Sequence, residues 1–163
     1  MRRTESDDVP ALAPGAAEVL QAATRVLAGV ALRSLDALDS AVTLPQFRLL
    51  AVLADLGPVP SGQAARALSL DPSTVTRLAD RMVAAGHVAR GTSSQHRGVV
   101  TLELTATGRD LVDTADAWRR GELARIMARL APPEQAAVTA GLGLLVGAAG
   151  DNYGITATRP VPL

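Results

Sequence analysis

The chain is 163 residues long, 48% hydrophobic and formally neutral, with sixteen basic and sixteen acidic side chains. That length suffices for one domain with a real core, or for one domain carrying dimerisation arms. Cysteine is absent, which excludes disulfides, thiolate sensing and cysteine-based metal or nucleophile sites.

Phe47, Trp118 and Tyr153 are the only aromatic residues, so the core must come from aliphatic side chains, and a mainly α protein is expected. Residues 1–15, polar and carrying Pro10 and Pro14, read as a flexible N-terminus. MRRTESDDVP has no apolar run behind its arginines and does not read as a signal peptide. No stretch reaches the roughly 18 uninterrupted apolar residues of a membrane span. A cytoplasmic protein without membrane contact is the expectation.

From Ala16 to about Ala41, Leu20, Ala23, Leu27, Val30, Ala31, Leu35, Leu38 and Val42 recur at spacings of three and four. The spacing predicts one long amphipathic helix, broken at Leu44-Pro45. Pro45 opens a second helix through Phe47, Leu49, Leu50, Val52, Leu53 and Leu56, stopped by Gly57-Pro58. Pro60-Ser61 begins a short helix, Ser69-Leu70-Asp71 forms a turn, and Asp71 is placed to cap a further helix with Pro72 at its first position. In that helix Val75, Leu78, Met82 and Val83 form an apolar stripe, and Gly86 suits a left-handed terminus. Residues 87–90 and 99–104 alternate apolar with polar and predict two short strands around a polar loop, Gly91–Gly98. Thr105 caps a long helix to about Ala131, and Pro132-Pro133-Glu134 opens a last one. Residues 151–163 are a tail with little pattern.

Two helices joined by a tight turn and followed by a hairpin are how a reading helix is presented to the major groove of DNA. Ser73, Thr74, Thr76 and Arg77 lie in the first half of the second of these helices. Hydroxyls there reach phosphates or base edges, and an arginine at position 77 is long enough for a bidentate contact with guanine. Arg81, one turn on, is a phosphate candidate. Ser61 and Gln63 start the preceding helix, where free N–H groups suit a phosphate. In the loop between the strands, Arg97 suits an A·T-rich minor groove, and His96 is a phosphate candidate. The plainer alternative is a solvated polar face and an ordinary exposed loop.

Neutrality needs an answer, because phosphate contacts drive much of DNA affinity. The charge is unevenly placed: residues 1–44 carry four arginines against six acids, and residues 45–110 seven against five. The small positive excess falls on the segment that would touch DNA, so weak non-specific binding and a modest salt slope are expected.

The order helix, helix, helix-turn-helix, β-wing, long helix, helix resembles the MarR family of winged helix-turn-helix transcriptional regulators. The resemblance is carried by LSLDPSTVTRLADRMVAAGHVAR at 68–90 and LTATG at 104–108 and spans roughly residues 16–150. The family wing usually carries Asp-Arg-Arg, whereas the corresponding positions here are His96, Arg97 and Gly98. The acid–arginine brace of the wing is therefore expected to be missing. The resemblance implies a homodimer through helices in 16–44 and 105–150, a winged DNA-binding domain at 45–104, and a palindromic operator. It also implies a repressor released by a small apolar or phenolic effector. Leu32, Phe47, Leu50 and Trp118 are the candidates to line an effector cleft, with a plain core role as the alternative for each.

Neither His87 nor His96 has a nucleophile in a recognisable motif, and no phosphate-binding glycine pattern or metal-ligand spacing is present. A non-enzyme without cofactor or metal is expected. The remaining rival is a winged-helix protein-interaction module with reduced or lost DNA binding.

Overall fold

Pro45 and Gly57 delimit the helix around which the rest is arranged. In the computed structural model, which describes residues 12–39, 42–92 and 99–150, this helix, α2, spans Leu44–Leu56. Its first turn is closed by Gln46, whose side-chain oxygen accepts from the Thr43 N–H at 2.7 Å. Gly57 ends it at a φ of 71°, a conformation few other residues adopt cheaply. Phe47, Leu49, Leu50, Ala51, Val52 and Leu53 are all buried, so α2 is covered on most of its circumference.

Around it pack α3 (Ser61–Leu68), α4 (Pro72–Ala84) and a three-stranded antiparallel sheet of β1 (Val59–Pro60), β2 (Val88–Thr92) and β3 (Val100–Leu104), in the order β1-β3-β2. The β2–β3 register pairs Val88 with Leu104 and Arg90 with Leu102. β1 adds Val59 opposite Leu102. The sequence pattern does not show β1, because two residues are too few to alternate and Pro60 is confined to an edge.

The long helix α5 (Ala106–Met127) is capped as expected, Thr105 Oγ1 accepting from the Gly108 N–H at 3.1 Å. The Thr105 and Thr107 hydroxyls donate to the Gly86 carbonyl at 2.7 and 2.8 Å, tying α5 to the end of α4. Gly108 is required there: a Cβ at that position would stand 2.0 Å from the His87 carbonyl oxygen. Val112 and Ala115 on α5 close the core.

The first predicted helix is shorter than its apolar spacing implies. α1 spans Ala16–Arg33 and gives way to a single 3₁₀ turn at Asp36–Leu38, with Asp39 left-handed at φ 47°. Ser34 stands at the C-cap, where its hydroxyl donates to the Ala31 carbonyl at 2.6 Å. Leu35 and Leu38 keep the apolar period only because the turn delivers them to the same core. The final helix, α6, spans Pro132–Ala149 and buries none of its residues. The proposed N-terminal segment, apart from residues 12–15, and the tail at 151–163 lie outside the described residues, as do Ser40 and Ala41.

Candidate nucleic-acid interface

α4 is two-faced. Val75, Leu78, Ala79 and Met82 are buried, while Ser73, Thr76, Arg77, Asp80 and Arg81 are exposed. The turn before it places Ser69 in the left-handed region at φ 53° and Asp71 in extended backbone, which swings α4 across α3. Asp71 stands at the cap position, but its side chain makes no capping hydrogen bond. Its own carbonyl accepts from the Thr74 N–H at 2.9 Å and the Val75 N–H at 3.1 Å.

The exposed face is partly organised by its own bonds. Arg77 Nη2 donates to Thr74 Oγ1 at 3.3 Å, which holds the half-buried Thr74 beneath the guanidinium. Thr76 Oγ1 donates to the Pro72 carbonyl at 2.9 Å, which leaves its oxygen lone pairs as acceptors. Arg81 and Ser73 lie one turn to either side. Ser61, half-buried at the start of α3, shares a groove of about 190 Å³ with Thr76, Ala79, Arg90, Val100 and Leu102. Gln63 is exposed two residues further into α3. Ser61 and Thr76 are thus brought together between the two helices and the wing. His96 and Arg97 lie outside the described residues.

The base of the wing is tied to α4 by a pair that spacing does not reveal. Arg90 Nη2 on β2 donates to Asp80 Oδ1 on α4, forming an ion pair with both side chains about half exposed. The pair acts at the wing's base and joins it to the reading helix; His96, Arg97 and Gly98, where the family brace is expected to be missing, lie outside the described residues. Arg48 on α2 reaches the carbonyl of Leu68 at 3.4 Å, touching the end of α3 from behind.

Of the residues assigned to an effector cleft, Phe47 and Leu50 have 0% exposure and belong to the core. Their side chains pack α2 against the core. Leu32 is exposed and Trp118 is half-buried. Beside Trp118 lies a residue the sequence reading passed over. Arg119 is only 8% exposed, with its guanidinium 5.1 Å from the centroid of the Phe47 ring. Burial lowers its pKa, and the neighbouring Asp116 carboxylate opposes that shift. The signal was available: Val112, Ala115 and Arg119 continue one inward-facing stripe on α5.

No helix among the described residues is long and apolar enough to cross a membrane. A helix-turn-helix whose second helix exposes a polar face beside a three-stranded wing defines a winged helix-turn-helix protein. A sequence model of the MarR family matches residues 42–97. Over 94 residues the chain is 35% identical to the HTH-type transcriptional repressor Rv2887 of Mycobacterium tuberculosis, taking in 58% of this chain and 68% of that protein. The crystal structure of RV1404 from Mycobacterium tuberculosis superposes with a TM-score of 0.77 at 32% identity, covering 87% of this chain and 100% of that one. Rv2887 in complex with DNA gives a TM-score of 0.61 at 30% identity, over 85% of this chain and 98% of that one. The same protein in complex with salicylic acid gives 0.58 at 30% identity, over 86% and 99%. The chain belongs to the MarR family.

Proposed function

We propose that this protein is a homodimeric, sequence-specific DNA-binding regulator of transcription, a repressor rather than an enzyme, acting in the cytoplasm and modulated by a small aromatic effector. The observation that carries the reading is the outer face of α4. Four polar side chains, Ser73, Thr76, Arg77 and Arg81, stand exposed there on a helix whose opposite face is fully committed to the core. Arg77 and Thr74 supply base contacts, Ser73 and Arg81 phosphate contacts, and Ser61 and Gln63 present the N-terminal amides of α3 to the backbone. The wing-tip residues His96 and Arg97 are assigned the neighbouring phosphate and minor groove.

One such unit reads too few base pairs for useful specificity. The helices outside the winged unit answer this. Val19, Leu20, Val26 and Leu27 on α1 and Leu142, Leu144, Leu145 and Val146 on α6 are exposed, an apolar area a lone soluble chain does not tolerate well. A two-fold dimer through segments 16–44 and 105–150 covers them and sets two α4 helices about 34 Å apart, one turn of DNA. The effector reading is supported by the salicylic acid complex of Rv2887. Leu32 and Trp118 remain its candidate contacts here.

The test is selection of bound fragments from random DNA, followed by titration of the selected site. A palindrome is expected. Arg77→Ala should weaken binding by about 10- to 100-fold, the worth of one bidentate base contact, at unchanged thermal stability. Salicylate is the effector probe and should lower the affinity. Failure to enrich any sequence at low salt removes the DNA-reading function and leaves the protein-interaction module.

A further inference from the structure

Three helices meet at Arg119. Nε donates to Ser34 Oγ at 2.8 Å, across a sequence separation of 85 residues, in a buried hydrogen bond. Nη1 donates to the Asp116 carboxylate at 3.1 Å on its own helix, and the guanidinium carbon stands over the Phe47 ring in the first turn of α2. Ser34 is itself fully buried and marks the point where α1 stops. One rigid fork therefore touches the end of α1, the middle of α5 and the base of the winged unit.

Stability alone does not account for an arginine here. Nη2 is enclosed with no acceptor among the described residues, and burial works against the charge. Apolar side chains of similar volume commonly replace buried ion pairs at no loss of stability. What they do not supply is direction: a planar guanidinium bonds two partners at fixed angles and stacks on a third, which neither lysine nor methionine can do. We infer that Arg119 is a positioning residue that fixes the angle between the α1 arm and the winged unit, and so sets the separation of the two reading helices in the dimer. The inference rests on the dimeric DNA-reader function for its consequence, but the angle itself is measurable within one chain.

The absence of cysteine makes the measurement direct. Spin labels at Thr24→Cys on α1 and Ala84→Cys at the end of α4, both exposed positions, report the intrachain distance when the labelled full chain is diluted into excess unlabelled protein. Wild type should give one narrow distribution. R119M should broaden it or move its mean by about 1–2 Å or more, the scale of helix shifts in switching proteins, with little change in melting temperature. S34A, which removes only the Nε acceptor, should do the same to a smaller degree, and R119K should not restore the narrow distribution. On duplexes carrying the selected half-sites at altered spacing, R119M should lose the wild-type preference for one spacing. Superimposable distributions for wild type and R119M overturn the inference. If R119M does not fold, an unchanged distribution in S34A overturns it. If no DNA is bound at all, the distance measurement still decides the role of Arg119.

Discussion

The winged unit and the arms are built on opposite principles. In the winged unit every helix has a committed inner face: α2 buries Phe47 and Leu50 completely, α3 buries Ala64, Ala65 and Leu68, and α4 buries Val75 and Met82. In the arms the balance reverses. α1 buries Val30 alone, and α6 buries nothing although Leu144 and Leu145 sit on it at 77% and 49% exposure. Apolar content is therefore a poor guide to where a core lies. α6 is rich in Ala, Gly, Leu and Val, yet among the described residues nothing buries them. The winged unit completes its core with Val112 and Ala115 of α5, whereas α1 and α6 leave most of their apolar side chains uncovered.

The sharpest way to break that contrast is to empty the centre of the winged unit. Phe47→Ala removes the largest fully buried side chain and the ring beneath Arg119. A loss of about 3–5 kcal/mol is expected, a large part of the stability of a domain this size, measured by chemical denaturation. The matching change in the arms is Leu145→Glu. It should leave the secondary structure intact and act on association instead. Burying a leucine is worth about 1.5–3 kcal/mol, and two-fold symmetry counts it twice. The dimer should therefore dissociate at roughly 100-fold higher concentration or more, as read by sedimentation across a dilution series. A Leu145→Glu chain that stays dimeric would place the interface elsewhere, and a Phe47→Ala chain of wild-type stability would mean that α2 is not the keystone.

Much of this division is written in local pattern, and some of it is not. The spacing of Val75, Leu78 and Met82 showed the inner face of α4, and Thr105 with Gly108 showed the start of α5. Both signals act over one or two helical turns, the range in which sequence order and spatial order agree. The α1 terminus escaped because Leu35, Leu38 and Val42 continue the apolar period beyond Ser34, where the helix ends. β1 escaped because its partner, Leu102, lies more than forty residues away and two residues carry no periodicity. The Asp80–Arg90 brace and the Ser34–Arg119 bond are likewise products of the tertiary fold. Phe47 and Leu50 read from the sequence as cleft candidates with a core role as the stronger alternative, and in the fold both are fully buried in the core around α2.

The Asp80–Arg90 pair gives the finest test of how independent the reading surface is from the core beneath it. Both side chains are about half exposed. Solvent and salt screen such a pair, and its worth to stability should stay below about 1 kcal/mol. A double-mutant cycle of Asp80→Asn and Arg90→Ala, read by denaturation, should give a coupling of that size that shrinks as salt is raised. The effect on DNA should be opposite in sign for the acid. Asp80 is exposed on the same helix as Arg77 and Arg81, where an acid repels phosphate. Asp80→Asn should therefore tighten non-specific binding at low salt and steepen its salt dependence, while the freed Arg90 adds a cation beside Ser61 and Thr76. Site discrimination should fall as non-specific affinity rises. A large loss of stability in Asp80→Asn would instead make the wing part of the core, and the boundary between reading surface and scaffold would have to be redrawn through β2.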